Sequence, residues 1–180
     1  MSDKSKIILN SIELGLTIKR LSFELIENHK NFTKSVIIGL QPRGIYLSKK
    51  IHSIIESNIQ SDIPFGYLDA TFFRDDFRRR EDVIVPSKTD ISFSLEGVNV
   101  ILIDDVLFTG RSIRSALDAL ISFGRPSSIE LLVLIDRRFS RELPIQPTYI
   151  GKSIDVIDNE YVVVDVDANN NNVILLNNEL

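Results

Sequence analysis

Two adjacent carboxylates, Asp104 and Asp105, directly follow an apolar run at residues 100–103. Such a run is typical of a strand buried on both faces, and open α/β sheets bind ligands beyond the carboxyl ends of their strands. Neighbouring carboxylates can accept hydrogen bonds from the adjacent hydroxyl groups of a ribose. The pair therefore predicts a site for a sugar diol, although two Asp residues taken alone would also suit a solvated strand end.

The residues after this pair have the character of a phosphate-binding turn. Thr109, Gly110 and Ser112 lead into a helical pattern and offer hydroxyl and backbone N–H groups at the start of the helix. These donors, together with the helix dipole, suit a phosphate group. A phosphate cradle beside a diol clamp describes a site for a sugar 5-phosphate.

A second loop of similar character occupies residues 39–44, Gly-Leu-Gln-Pro-Arg-Gly, again between a strand pattern and a helical pattern. Arg43 supplies a fixed positive charge, and Gly44 allows the backbone to approach a ligand closely. Read alone, this stretch could also be a helix that begins at a proline. Because both loops follow strands of one predicted sheet, we expect them to share one edge of it.

The elements that must position these loops alternate along the chain. Helical spacing of apolar residues predicts helices at residues 12–26, 43–55 and 112–123. Short apolar runs predict buried strands at residues 35–40, 65–73, 100–103 and 129–136, and tail strands at 161–166 and 173–176. The charged segment 74–95 lacks sustained periodicity, which indicates a long loop or flap. This order predicts an α/β fold whose mainly parallel sheet has helices on both faces, extended by the two antiparallel tail strands.

Composition narrows the class of protein. The length of 180 residues suits a single domain, which we expect to span residues 1–180. The formal net charge of −4 gives no general attraction to nucleic acid. The chain has no cysteine, so a thiol nucleophile and a cysteine metal cage are excluded. No apolar stretch approaches the length of a membrane span, and we therefore expect a cytoplasmic protein without membrane contact.

The stretch at residues 100–114 resembles the phosphoribosyl pyrophosphate (PRPP) motif of type I phosphoribosyltransferases. Residues 68–76, 124–129, 136–145 and 149–152 resemble the PyrR family in particular. Members of that family are pyrimidine operon attenuators that also have uracil phosphoribosyltransferase activity. The resemblance covers residues 12–164 and implies a single-domain type I phosphoribosyltransferase fold with a flexible flap and a small C-terminal hood.

The resemblance also implies roles for the matched residues. Catalysis would depend on Asp104 and Asp105, which hold the ribosyl hydroxyls, and on Arg74, which closes over the reacting centre with the flap. The remaining contacts to PRPP would come from Arg43, Gly44, Val106, Leu107, Phe108, Thr109, Gly110, Arg111 and Ser112. The base would contact Asp136, Tyr149, Ile150 and Lys152, although core packing is an alternative interpretation of Tyr149 and Ile150.

The implied ligands are PRPP and uracil or UMP, with Mg²⁺ bound mainly through PRPP and no dedicated cluster of metal ligands. The resemblance further implies a homo-oligomer, either a dimer or a tetramer.

Two departures from the family pattern affect the surface that the family uses for messenger RNA. The segment 136–145 has one extra residue near Phe139 and lacks a glycine and a histidine, and Gln146 stands where RNA-binding members tend to carry Arg. Both changes argue against binding of an mRNA leader. In the other ligand loop, Pro42 replaces a small or hydroxyl residue.

Three functions remain open at this point. The first is a uracil phosphoribosyltransferase. The second is an RNA-binding regulator that senses uridine nucleotides and uses a basic patch of Lys19, Arg20, Arg137, Arg138, Arg141 and Lys152. The third is a hypoxanthine or guanine phosphoribosyltransferase, because the pattern at residues 149–151 also resembles purine enzymes.

Overall fold

Eight strands and three α-helices form the part of the chain that the computed structural model describes, namely residues 6–75, 88–156, 160–166 and 171–177. The helices are α1 (Ser11–His29), α2 (Gly44–Ile59) and α3 (Arg111–Leu120). The strands are β1 (Lys6–Leu9), β2 (Ser35–Leu40), β3 (Phe65–Leu68), β4 (Asn99–Leu107), β5 (Ser128–Arg138), β6 (Tyr149–Asp155), β7 (Glu160–Val166) and β8 (Asn171–Asn177).

The main sheet has five strands in the order β3-β2-β4-β5-β6, and every neighbouring pair is parallel. All six residues of β2 are buried, as is β4 from Val100 to Asp105. Continuous burial explains why these strands are apolar at consecutive positions and do not alternate with polar residues. The predicted parallel sheet is confirmed.

Helices cover both faces of this sheet, as the sequence predicts. Side chains alternate across a strand, so neighbouring residues face different helices. Ile37 and Ile101 belong to the core cluster that also contains the buried residues of α1 and α2. Val36 and Val100 belong to the opposite cluster, with the buried residues of α3.

The first helix begins at a capping box, in which the Asn10 side chain accepts hydrogen bonds from backbone N–H groups of the first turn.

The prediction that the tail strands extend the main sheet is wrong. Strands β7 and β8 instead form a separate antiparallel sheet with β1, in the order β1-β8-β7, which we call the hood sheet. The short strand β1 pairs with β8 in an antiparallel register, Lys6 opposite Leu175. The edge of the main sheet beyond β5 is occupied by β6, so the tail strands do not pair there.

The predicted strand at residues 65–73 is shorter than expected. Strand β3 ends at Leu68, and a 3₁₀ turn follows at Thr71–Phe73. The Asp69 carboxylate accepts the Thr71 N–H at 2.7 Å, which is the local hydrogen bond of an Asx-type turn. This turn directs the chain from the sheet edge towards Arg74.

Part of the predicted flap lies outside the described residues, which omit 76–87. After that gap, Asp90 forms an antiparallel bridge with Tyr67, and Leu95 is fully buried. The closing motion of the flap stays a prediction, as does the single domain over residues 1–180. In the described ranges, none of the helices combines the length and apolar character that crossing a bilayer requires.

Candidate active site

A cavity of about 550 Å³ opens where the loops after β2 and β4 diverge. Strands β2 and β4 are neighbours in the sheet although β3 separates them in the chain. The connection from β2 leads outwards to β3, whereas the connection from β4 leads the other way to β5. Open α/β sheets bind ligands at such a switch point, beyond the carboxyl ends of the strands.

The two carboxylates at this switch point are buried and oriented by the backbone. Asp104 is 8% exposed and Asp105 is 6% exposed. The Asp105 N–H donates to Asp104 Oδ1 at 2.9 Å, and the Val106 N–H donates to Asp105 Oδ1 at 2.7 Å. Within the described residues, the buried Asp105 Oδ2 accepts no hydrogen bond. Each carboxylate therefore has one oxygen held by the protein, and Asp105 has a second oxygen ready for a donor.

Burial raises the pKa of both carboxyl groups above their ordinary value. For Asp104 the repulsion from the Asp105 charge raises the pKa further. The positive charge of Arg43 acts in the opposite direction on the pKa of both groups. A ligand that donates hydrogen bonds would stabilise the ionised pair, because it would replace the lost contact with water.

The loop after β2 packs directly against β4 through Gly44. A Cβ atom added at Gly44 would lie 2.5 Å from the backbone oxygen of Ile103 and 3.1 Å from Asp104 Cα. The loop is also tied to the sheet edge, because the Gln41 N–H donates to the Leu68 oxygen at 2.9 Å. The absence of a side chain at Gly44 thus brings the positive charge of Arg43, the residue before it, towards the Asp pair.

The turn after β4 has the expected form of a helix start. Gly110 adopts a φ of +92°, a left-handed conformation that favours glycine, and its oxygen accepts the Arg114 N–H at 2.9 Å. The Ser112 hydroxyl accepts from Arg74 Nη1 at 3.3 Å. Arg74, Val106, Phe108 and Ser112 all line the cavity. The structure therefore brings the predicted catalytic Arg74 to the predicted phosphate turn.

Other residues predicted to contact PRPP lie beneath or outside this turn. Leu107 is buried in the core next to α3. The Arg111 side chain forms ion pairs with Asp75 and Glu142, with its Nε 2.6 Å from the Glu142 carboxylate. The side chains of both residues are thus engaged within the protein, and their contact with PRPP stays a prediction.

The four residues predicted to bind the base do not line the cavity. Tyr149 is 2% exposed, and its hydroxyl donates to Glu130 at 2.6 Å. Burial, followed by this hydrogen bond, raises the pKa of Tyr149 to about 12. The parallel register of β6 explains its position, because Tyr149 pairs with Leu132, well before the carboxyl end of β5. Core packing, the alternative interpretation of Tyr149, describes its surroundings.

The other three residues of that predicted set have different surroundings. Lys152 Nζ donates to the Ile8 oxygen at 2.9 Å, which ties β6 to the hood sheet. Asp136 pairs with Arg141. Asp136 and Ile150 line a separate surface groove of about 430 Å³.

The cavity lining also includes residues that the sequence did not assign to the substrate site. Among them are Arg137, which was expected in the RNA patch, Tyr161 and Val162. Arg137 is 5% exposed, and its guanidinium lies 3.9 Å from the centre of the Phe108 ring. The basic pair at the end of the predicted strand 129–136 was a signal for Arg137. Tyr161 and Val162 gave no such signal, because their position depends on the pairing of β7 within the hood sheet.

Comparison with known proteins identifies the family. Residues 5–171 match the family model described as a phosphoribosyl transferase domain. The chain is 41% identical over 167 residues to "Bifunctional protein PyrR" of Lactococcus lactis subsp. cremoris (strain SK11), covering 93% of each chain. The chain belongs to the PyrR family of phosphoribosyltransferases.

Further relatives agree with this PyrR assignment. The chain is 39% identical to "Bifunctional protein pyrR" of Enterococcus faecalis (strain ATCC 700802 / V583), with 90% of each chain covered. Among solved structures, hypoxanthine phosphoribosyltransferase of Trypanosoma cruzi matches with a TM-score of 0.73 at 17% identity, covering 97% of each chain. The enzyme of the same name from Staphylococcus aureus matches at 0.65 and 23% identity, over 89% of this chain and 82% of that one. These two structures support the fold alone.

The PyrR assignment makes Mg²⁺ a relevant ion, because phosphoribosyltransferases generally use it together with PRPP. The buried acidic pair fits this requirement, since Mg²⁺ prefers oxygen ligands. No group of three or more His, Cys, Asp or Glu residues that could hold a metal ion occurs in the described ranges. The acidic pair would hold Mg²⁺ through its carboxylate oxygens, and an ion that loses its water reluctantly would take its other ligands from substrate and water.

Proposed function

We propose that this protein transfers the phosphoribosyl group of PRPP to a ring nitrogen of uracil, giving UMP and pyrophosphate. The observation that carries the proposal is the convergence of three features on one cavity. These are the buried Asp pair, the turn that starts α3, and the Arg43 loop. They correspond in chemistry to the diol, the 5-phosphate and the pyrophosphate of PRPP.

The reaction breaks the bond between the anomeric carbon and pyrophosphate, which leaves with the bonding electrons. It forms a bond from that carbon to a ring nitrogen of uracil, which gives up its proton to the departing pyrophosphate or to water. In the proposed arrangement, Asp104 and Asp105 accept hydrogen bonds from the ribose hydroxyls. Their buried negative charge also stabilises the oxocarbenium character that develops on the sugar. Arg43 and Arg74 place positive charge where the pyrophosphate leaves. Bound Mg²⁺ would neutralise further charge on the pyrophosphate.

Exclusion of water is the third contribution that we assign to the protein, because water would hydrolyse the activated sugar. Tyr161 and Val162 of the hood sheet line the same cavity as the Asp pair. They support a model in which the hood covers the base side of the site. The flap and the homo-oligomer, a dimer or a tetramer, stay predictions of the family resemblance.

We assign the base to the space beside Arg137, Phe108, Tyr161 and Val162. Uracil has two carbonyl oxygens that accept hydrogen bonds, and a guanidinium is a donor that is always charged. The contact of Arg137 with the Phe108 ring holds this guanidinium in the cavity wall. Arg137 is therefore our candidate for recognition of a uracil carbonyl.

The deciding experiment measures PRPP consumption with uracil, hypoxanthine and guanine as alternative acceptors. We expect uracil to be favoured. Replacement of Arg137 by Leu should raise KM for uracil by about tenfold, because a charged hydrogen bond to a carbonyl contributes roughly 1.5–3 kcal/mol. KM for PRPP should change much less.

Two control variants sharpen this test. Arg138→Leu removes the neighbouring arginine, which pairs with Asp155 outside the cavity, and should leave KM for uracil unchanged. Tyr149→Phe should lower stability by about 1–2 kcal/mol, because the buried Tyr149 loses its hydrogen bond to Glu130, again without an effect on KM for uracil. Preference for a purine, or a rise in KM for uracil in Tyr149→Phe alone, would contradict our assignment of the base pocket.

Regulation of pyrimidine genes is a second candidate function. The observation that favours it is the name "Pyrimidine operon regulatory protein" of a relative from Lactococcus lactis subsp. cremoris (strain MG1363), 41% identical over 93% of the chain. The basic residues that we expected to form an RNA patch are mostly engaged within the protein. Arg20 donates to the oxygens of Ile150 and Gly151, and Arg138 pairs with Asp155.

We therefore expect weak or non-specific binding of RNA at physiological salt. Each missing phosphate contact lowers affinity and reduces the dependence of affinity on salt. The measurement is a titration of a pyrimidine-gene leader RNA against an unrelated RNA at several salt concentrations. Tight and sequence-selective binding, without turnover of any base, would reverse our ordering of enzyme over regulator.

A further inference from the structure

The outer side of the phosphate turn is covered by a segment that the reaction itself does not require, residues 141–143. The N–H groups of Glu142 and Leu143 donate to the backbone oxygen of Thr109 at 3.0 and 3.2 Å. Arg141 donates to the backbone oxygen of Phe108. Two consecutive carbonyl groups of the turn are thus held by one neighbouring segment.

These bonds determine the direction of the N–H groups in the same peptide units. A trans peptide is planar, and its C=O and N–H groups point in opposite directions. Holding the oxygens of Phe108 and Thr109 towards residues 141–143 turns the N–H groups of Thr109 and Gly110 away from that segment. A phosphate is bound by such N–H groups at the start of a helix. The segment 141–143 therefore orients the donors that an anion needs.

Arg141 connects the turn to the end of β5. Its guanidinium pairs with the carboxylate of Asp136, which is 8% exposed, and lies 3.5 Å from the backbone oxygen of Arg137. The Arg141 side chain is itself only 22% exposed. A planar guanidinium with several fixed donors can hold a carboxylate and a backbone oxygen at once, which a flexible ammonium does less well.

We propose that Arg141 is a positioning residue for the 5-phosphate of PRPP. It acts through the backbone of Phe108 and Thr109 and does not touch the substrate. This proposal rests on the proposed function, since it concerns the phosphate of the same substrate. It also gives Arg141 a role that is separate from the basic RNA patch that the sequence suggested.

The test compares two ligands of the full-length protein by calorimetry. Ribose 5-phosphate carries the phosphate and the diol, whereas pyrophosphate occupies the Arg43 side of the cavity. In Arg141→Met, the Kd for ribose 5-phosphate should rise by about tenfold or more. The Kd for pyrophosphate should stay within about twofold of the wild type. Arg114→Met is the matched control, because Arg114 is exposed, pairs with Asp118 on α3 and should leave both constants unchanged.

Salt and a conservative variant separate positioning from simple charge. A long-range effect of the lost positive charge would disappear at about 0.5 M salt, where screening acts over only a few ångströms. The effect that we propose should persist there. Arg141→Lys keeps the charge but loses the planar fork, and its Kd for ribose 5-phosphate should lie between those of Arg141→Met and the wild type.

Several results would overturn this inference. They are an unchanged Kd for ribose 5-phosphate, an equal weakening of both ligands, or a loss that vanishes at high salt. If Arg141→Met does not fold, the Kd of Arg141→Lys for ribose 5-phosphate becomes the test. A wild-type Kd in that variant would also contradict the proposal. Failure of the wild type to bind ribose 5-phosphate or consume PRPP would instead refute the proposed function.

Discussion

Replacement of both Asp104 and Asp105 by Asn should lower kcat/KM for PRPP by about a hundredfold or more while the fold survives. The reason lies in the terminal atom of each side chain that does not accept a backbone N–H group. The Oδ1 atoms of Asp104 and Asp105 already accept backbone N–H groups at 2.9 and 2.7 Å. If each Asn keeps that contact, its NH₂ group replaces the other oxygen. The site then presents donors to ribose hydroxyls that must themselves donate.

Asp118→Asn is the matched control for this pair. Asp118 lies on α3, its side chain is 43% exposed, and it pairs with Arg114 at 2.9 Å. The same chemical change there should leave kcat/KM within a factor of about two of the wild type, because exposed ion pairs contribute little. Activity of the double variant close to that of the control would contradict the proposed role of the pair. So would collapse of the fold together with full activity in each single variant.

The pH dependence of stability gives a separate readout of the change at Asp104 alone. The pKa of Asp104 in the folded protein is raised above its ordinary value of 3.8, first by burial. The folded state therefore binds a proton more tightly than the unfolded chain, and stability falls as pH rises from 3.8 through the raised pKa. Asp104→Asn should unfold at a higher temperature than the wild type at neutral pH. The difference should disappear below the ordinary pKa, where both states of the wild type are protonated.

Gly44→Ala should affect both stability and activity, and it is the second large effect that we expect. The added Cβ would lie 2.5 Å from the Ile103 oxygen and 3.1 Å from Asp104 Cα, both of which belong to the backbone of β4. Neither atom can move without shifting the strand that carries the Asp pair. We expect a loss of about 1–3 kcal/mol in the free energy of unfolding. KM for PRPP should rise as well, because the Arg43 loop moves away from the acidic pair.

Gly15→Ala provides the opposite outcome from the same substitution. Gly15 lies inside α1, and an added Cβ there would have no atom within 4 Å. Alanine should therefore stabilise the protein by roughly 0.5–1 kcal/mol, the usual difference between the two residues in a helix. Chemical denaturation of both variants, with steady-state kinetics, makes the comparison. Similar free energies of unfolding for Gly44→Ala and Gly15→Ala would show that the close approach at β4 is unimportant.

The sequence was most informative where local pattern and local chemistry coincide. The apolar run before Asp104 predicted a buried strand. Because the carboxylates directly follow this run, the sequence also predicted that they lie at the carboxyl end of the strand. Arg43 and Gly44 were found in the same way, after β2. These predictions required only the alternation of strands and helices and the rule that ligands bind at the carboxyl ends of parallel strands.

The base side of the cavity was less predictable because it depends on distant pairings. The sequence around Tyr149 mixes apolar and polar residues, which suits either a pocket or a core. Only the strand register, which pairs Tyr149 with Leu132 of β5, shows that Tyr149 lies in the core. Tyr161 reaches the cavity through the antiparallel pairing of β7 with β8, and β8 in turn pairs with β1. A four-residue strand such as β1 has too little periodicity to be recognised from sequence alone.

The hood sheet also has a consequence for the order in which parts of the molecule form and open. Lys6 and Leu175 are paired across nearly the whole chain, so the entropy lost in closing that loop is among the largest in the fold. Pairings of such long range tend to form late during folding. The main sheet depends less on such pairings, since α2 joins β2 to its neighbour β3 and α3 joins β4 to its neighbour β5. The wall that carries Tyr161 and Val162 thus depends on pairings of long range, and we expect its amide hydrogens to exchange before those of β4.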